Sequence, residues 1–358
     1  MTSRTPPLLE PYLSGLPDEA ALVVLTGILG ASTNWLVLRY LHSFLKQTTS
    51  STSTIPLPRR FRAALDDDED VNDETRPQDT EEEERQQQQP SVLLVSFLRD
   101  YTFWKDSASR LGLDLDALAR RGRFSFVDGL SSALFAPSSS PSTPSATTPP
   151  HTHAPIPDRG GRPTPAPTRG PLTATTKAPR PSQAQSQSLK RPLTNPTLAG
   201  VRSALHSAVD ELVRARTRAG AGSGKVILVV DQLDFLLAAT SSSAGAGVTS
   251  LGLRELLLDL REKVHATILT LSADEPLVVA QTTALEKEHA SFVLSLAHEA
   301  ETILSLRLLD TGVAKDVSGV LRITGGDGDR ASRPVEEKEY LYQVVGDGGV
   351  RVFERGGQ

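Results

Sequence analysis

The stretch Ala20-Ala-Leu-Val-Val-Leu-Thr-Gly-Ile-Leu-Gly-Ala-Ser-Thr-Asn-Trp-Leu-Val-Leu-Arg-Tyr-Leu41 decides the fold. Its apolar, β-branched opening, Ala20 to Leu25, breaks at Thr26 to Asn34 into small and polar residues and resumes at Trp35, giving a buried strand, a tight turn and a helix. A parallel strand feeding a helix through a glycine-containing turn is where α/β folds bind phosphate, because the helix N-terminus offers unpaired N–H groups and the positive end of its dipole. A working phosphate loop reads G-x-x-x-x-G-K-[ST], with the lysine on the β- and γ-phosphates and the hydroxyl on magnesium. The turn Gly27 to Asn34 has no lysine, and so lacks charge-assisted bonds of about 1.5–3 kcal/mol each.

No charged residue lies between Ala20 and Leu38, a length that could also cross a bilayer. The Gly, Ser, Thr and Asn in its middle favour the turn, and no second hydrophobic span follows. Pro17-Asp18-Glu19 stands where a secretory signal needs basic residues.

Of the 358 residues, about 250 have the composition of a core-forming domain, one α/β unit preceded by an extended, proline-rich lead-in over residues 1–15. The chain has no cysteine, which excludes disulfides and thiolate metal sites. With no export signal, a cytoplasmic or nuclear location is expected. The net charge of −5 gives no overall attraction for nucleic acid, so such binding requires a local patch or a partner.

Two low-complexity inserts are expected to be disordered. The first, 48–90, holds twelve acids against Arg76 alone between Asp66 and Glu84, a block that repels itself. The second, 136–194, is rich in Pro, Ser and Thr and carries a net charge of +6; ordering costs about 1–2 kcal/mol per residue with little apolar area to offset it.

Between and after the inserts the apolar runs Ser91–Leu98, Phe124–Val127, Lys225–Val230 and Thr267–Leu271 read as buried strands. Helices are expected over Arg99–Arg110, with Tyr101, Trp104 and Ala108 on one face, over Asp114–Arg120, ended by Gly122, over Pro196–Arg218, over Leu251–Val264 and over Thr283–Glu299. The tail segments Thr302–Leu309, Gly319–Thr324, Glu339–Val345 and Gly349–Glu354 read as antiparallel β. Together they spell a mostly parallel sheet covered on both faces, with an antiparallel C-terminal part.

Few motifs carry chemistry. Gly220-Ala-Gly-Ser-Gly-Lys225 imitates a Walker loop, but the template places its first glycine at Ala219 and its hydroxyl at Val226, and the segment precedes a strand instead of following one; it reads as a linker. Asp231, at the end of a buried strand, is where a nucleotide hydrolase keeps its magnesium-organising acid, and equally a place for a structural acid. Asp231 and Asp234 could also cap the next turn. His289 and His298 lack the H-E-x-x-H spacing that places two metal ligands on adjacent turns, and no G-x-S-x-G elbow occurs. Trp104, Phe103 and Phe97 read as core; Arg120, Arg121 and Arg123 read as a solvated basic spot or a contact to RNA phosphate.

Ser96-Phe-Leu-Arg-Asp-Tyr-Thr-Phe-Trp-Lys105, Leu111-Gly-Leu-Asp-Leu115, Arg121-Gly-Arg-Phe-Ser-Phe-Val-Asp-Gly129 and Val229-Val-Asp-Gln-Leu-Asp234, in that order, resemble the sixth-subunit family of the Elongator complex in a fungal-type version. The resemblance spans about Leu16–Lys46, Val92–Leu134 and Thr197–Phe353. It implies a RecA-like fold without its Walker lysine, joined with Elongator subunits four and five in a six-membered ring with two copies of each. That ring engages tRNA and supports modification of the wobble uridine, while the modification chemistry, with its iron–sulfur and acetyl-CoA sites, belongs to the third subunit. It also implies no catalysis of its own and ATP at the ring interfaces. Gly27, Gly30, Ser32 and Thr33 then occupy the loop positions and Asp231 the strand-end acid. The alternative is a self-sufficient nucleotide hydrolase with an unusual loop.

Overall fold

The computed structural model describes residues 5–46, 89–130, 190–195, 197–218, 225–240, 247–310, 312, 314–326, 335–346 and 348–355. Nearly all of the acidic insert and of the Pro/Ser/Thr-rich insert, and the Walker-like glycines before Lys225, lie outside the described residues.

Strand β1 (Ala21–Gly27) is buried at every position and passes through a turn into α2 (Asn34–Leu45). The charge-free stretch is thus divided between a strand and a twelve-residue helix, and no helix among the described residues is long and apolar enough to cross a membrane. Next come β2 (Ser91–Ser96), α3 (Tyr101–Arg110), α4 (Leu115–Arg120) and β3 (Phe124–Asp128). Tyr101, Trp104 and Ala108 form the buried face of α3. Asp100 and Asp114 cap α3 and α4 by accepting from the N–H groups of Phe103 and Ala117, which satisfies donors each helix start leaves open. Gly122 ends this segment at φ +68°, a conformation that favours glycine.

After β4 (Lys190–Pro192) follow α5 (Leu198–Arg218), β5 (Val226–Asp231), α6 (Phe235–Thr240), α7 (Ser250–Arg261), β6 (Ala266–Ser272), a π-helical turn (Pro276–Ala280) and α8 (Ala284–Glu299). A capping box joins Thr283 and Glu286 at the start of α8. The chain closes with β7 (Thr302–Arg307), β8 (Gly319–Gly325), β9 (Lys338–Val344) and β10 (Val350–Glu354).

The described strands form one ten-stranded sheet in the order β10-β9-β8-β7-β1-β6-β5-β2-β3-β4. From β7 to β4 every neighbouring pair is parallel; from β7 to β10 every pair is antiparallel. Alternate residues of the central strands enter separate cores. Val23, Leu25, Val92, Leu94 and Ile268 pack with α2, α3 and α4. Leu22, Val24, Leu93, Val95 and Leu269 pack with α5, α6, α7 and α8. Uninterrupted apolar strands are the consequence of this double covering.

Three expectations need correction. The lead-in is not extended: Pro7–Leu9 makes a 3-10 turn running into α1 (Glu10–Leu13). Prolines at the start of each turn supply the fixed φ that a first helical position accepts, and Leu9 and Leu13 are buried. β7 is not wholly part of the antiparallel tail, because it pairs parallel with β1 through Val23 and Thr302 and antiparallel with β8. The second insert cannot run to Thr194, since Lys190–Pro192 extends the sheet beside β3 and Leu193 is buried. Pro192 is tolerated there because β4 is an edge strand.

Candidate functional site

Parallel register brings the carboxyl ends of the central strands to one edge. Gly27 of β1 stands beside Ser272 of β6, Asp231 of β5 beside Thr270 of β6 and Ser96 of β2, and Ser96 beside Asp128 of β3. In open α/β sheets this edge is where ligands bind.

Gly27, Gly30, Ser32 and Thr33 fall together in the turn between β1 and α2. The turn folds on itself: Ile28 and Ala31 form an antiparallel bridge, the Ala31 N–H donates to the Ile28 carbonyl at 2.8 Å, and Gly30 crosses the tip at φ +92°. A Cβ on Gly27 would lie 2.8 Å from the Ala31 carbonyl oxygen, so only glycine fits this approach. Read from Gly27, the phosphate-loop template puts Ser32 at the second glycine, Thr33 at the lysine and Asn34 at the hydroxyl. Thr33 is short, neutral, 3% exposed and makes no side-chain cap on α2. Ser32 Oγ accepts from the Asn34 N–H.

Asp274, which follows β6, reaches across to this turn: its Oδ1 accepts from the Leu29 N–H at 2.8 Å. The Ala273 N–H donates to the Gly27 carbonyl at 2.7 Å. A carboxylate therefore holds a backbone donor of the loop, and its negative charge opposes a second anion there. The turn does not fit a triphosphate: the cation position is threonine and a neighbouring aspartate supplies the anion.

Asp231 lies on β5, with β6 between it and β1. It is 1% exposed. Its Oδ2 accepts from Ser96 Oγ at 2.8 Å and its Oδ1 from Thr270 Oγ1 at 2.9 Å, so the side chain ties β5 to β2 on one side and β6 on the other. Burial raises its pKa above the ordinary carboxylate value, against the opposing pull of the two hydroxyl bonds and Arg99.

Beside it, Gln232 adopts φ +58°; its N–H donates to Thr270 Oγ1 at 2.9 Å and its Oε1 accepts from Ser272 Oγ at 2.8 Å. The Asp234 side chain does not cap the turn that follows it but binds across the strand ends. Its Oδ2 accepts from the Ser272 N–H and lies 3.0 Å from His289 Nε2, joining α8 to the strand ends. Asp234 Oδ1 and His289 Nδ1 are buried with no hydrogen-bond partner among the described residues. Contacts such as Leu29–Asp274 and Asp234–His289 join residues 245 and 55 positions apart, which no local pattern signals.

Other candidates resolve as packing. Trp104 and Phe97 are fully buried, and Arg99 lies over the Phe103 ring at 5.4 Å. Arg123 is not a solvated cation: it donates to the carbonyls of Phe44, Leu45 and Pro90. No group of three metal-ligating side chains occurs among the described residues. No protein-family model and no curated protein matches the chain.

Proposed function

We propose that this chain is a building block of the Elongator complex of the sixth-subunit type, assembling with subunits four and five into a RecA-like hexameric ring that binds tRNA and supports wobble-uridine modification. It works in the cytoplasm and also enters the nucleus. It is not an enzyme; ATP, where the ring uses it, sits at boundaries between subunits.

The observation that carries this reading is the Asp274 carboxylate bonded to the Leu29 N–H in a turn whose lysine position is Thr33. A scaffold suited to nucleotide chemistry here lacks the groups that would perform it. The order of the motifs from Ser96 to Asp234 adds to it. Apolar side chains on the segments that follow β1, β6 and β7 are open to a subunit contact: Leu29 is 87% exposed, Val279 68% and Leu308 44%.

In fungal cells lacking their own sixth Elongator subunit, the chain is expected to restore the wobble-uridine modification, read by mass spectrometry of tRNA nucleosides. Expression without restoration would overturn the reading. Purified alone, the protein is expected to hydrolyse ATP no faster than buffer; turnover that Asp231→Ala abolishes would instead establish a self-sufficient hydrolase.

A further inference from the structure

The amino-terminal end of β1 and β7, opposite the β1–α2 turn, holds a cavity of about 650 Å³. Ala21 opens β1, and its N–H donates to the Asp18 carbonyl at 3.2 Å. Glu301 stands just before β7, and its N–H donates to the Leu22 carbonyl at 2.9 Å. The parallel register that sets Val23 against Thr302 thus brings the segments carrying Asp18 and Glu301 to one end of the sheet. Side chains of α1 and α2 close the cavity: the Tyr40 hydroxyl donates to the Tyr12 carbonyl at 3.2 Å, and the Tyr12 hydroxyl to the Glu336 carbonyl at 2.8 Å. Val23 and Tyr40 are buried and give it an apolar floor. Asp18 and Glu336 are exposed and set its mouth.

The polar groups of this cavity are chiefly acceptors. The carboxylates of Asp18, Glu301 and Glu336 line it, and no lysine, arginine or histidine does. Both tyrosine hydroxyls already direct their protons to carbonyl oxygens. Glu336 has a counter-ion, Lys338, at 2.6 Å. Asp18 and Glu301 have none: neither side chain forms a hydrogen bond or an ion pair among the described residues. Burial and the like charge of Asp18 raise the Glu301 pKa. His265, whose Nε2 lies 2.9 Å from the Pro17 carbonyl, is neutral at physiological pH because burial lowers its pKa. Two carboxylates that share a cleft without a cation disfavour each other's charge. A perturbed acid in a concave site marks a place where a ligand completes the balance.

We propose that this cavity binds an organic cation bearing N–H donors, an alkylguanidinium or alkylammonium group, with its charged head between Asp18 and Glu301 and its alkyl chain over Val23 and Tyr40. Such a head forms charge-assisted hydrogen bonds to carboxylates, and a planar guanidinium does so through two parallel N–H groups. The alkyl chain removes the apolar floor from water. Small-molecule sites span about 300–1,000 Å³, which this cavity matches, and the same space admits an arginine or lysine side chain of a partner polypeptide. The site is independent of the ring reading.

The test titrates the full chain by calorimetry with butylguanidinium and, beside it, butylurea, an uncharged analogue of the same shape. Butylguanidinium is expected to bind one-to-one with a dissociation constant of about 1 mM or tighter, and butylurea not at all. Glu301→Gln and Asp18→Asn are each expected to weaken binding at least about tenfold, through loss of a charge-assisted pair. The thermal midpoint of the free chain is expected to stay the same or rise in both variants, since each removes a like-charge repulsion. A capped pentapeptide with one central arginine separates the two sources of the cation. Binding of the peptide with the same dependence on Glu301 assigns the cavity to a partner's side chain, and its exclusion assigns the cavity to a free small molecule. Absence of butylguanidinium binding, equal binding of butylurea, or binding that Glu301→Gln leaves unchanged would overturn the proposal.

Discussion

Asp231 occupies the strand-end position of a magnesium-organising acid, yet its two oxygens accept from Ser96 and Thr270 across both neighbouring strands. Because burial raises its folded pKa, its contribution favours the fold below the ordinary carboxylate value of 3.8 and is lost as pH rises through the raised value. The native chain is therefore expected to gain stability relative to Asp231→Asn as pH falls toward that ordinary value, measured by urea unfolding over a pH series; a constant difference would contradict the raised pKa. Asp231→Leu leaves two buried hydroxyls without an acceptor and is expected to cost about 1–3 kcal/mol for each. The place of this acid at a strand end was legible from Val226–Val230. Its partners were not, because Ser96 and Thr270 meet it only through the strand order β2-β5-β6.

Strands whose neighbours cover both faces announce themselves by unbroken apolar runs, and β1, β2, β5 and β6 were each legible for that reason. β4 was not. Three residues, Lys190-Arg191-Pro192, join the sheet at its edge, and the single apolar residue that anchors them, Leu193, follows a long Pro/Ser/Thr-rich sequence. Deleting residues 136–189 is thus expected to leave unfolding free energy nearly unchanged, whereas deleting 136–194 should cost about 2 kcal/mol through loss of Leu193 burial; equal effects would show that β4 adds nothing. The same logic applies to the 3-10 turn Pro7–Leu9 and α1, hidden among prolines yet placing Leu9 and Leu13 in the core, with the Tyr12 hydroxyl donating to the Glu336 carbonyl at 2.8 Å. Removing residues 1–15 is expected to destabilise the chain by about 3–6 kcal/mol, detected as a lower urea midpoint, and an unchanged midpoint would deny the 3-10 turn and α1 their anchoring role.

Across the whole molecule, a mostly parallel sheet ends in a turn whose anion is a side chain of the protein itself and whose surroundings expose Leu29, Val279 and Leu308. Such an edge suits packing against another subunit better than chemistry on a bound phosphate. Leu29→Glu, at a position 87% exposed, is accordingly expected to leave the thermal midpoint of the isolated chain unchanged while preventing its incorporation into the ring. The most direct measurement is co-expression with tagged Elongator subunits four and five, followed by size-exclusion chromatography with light scattering. Co-elution at the mass of a hexamer containing two copies of this chain is the predicted result; a stable lone monomer, eluting apart from both subunits, would contradict the account.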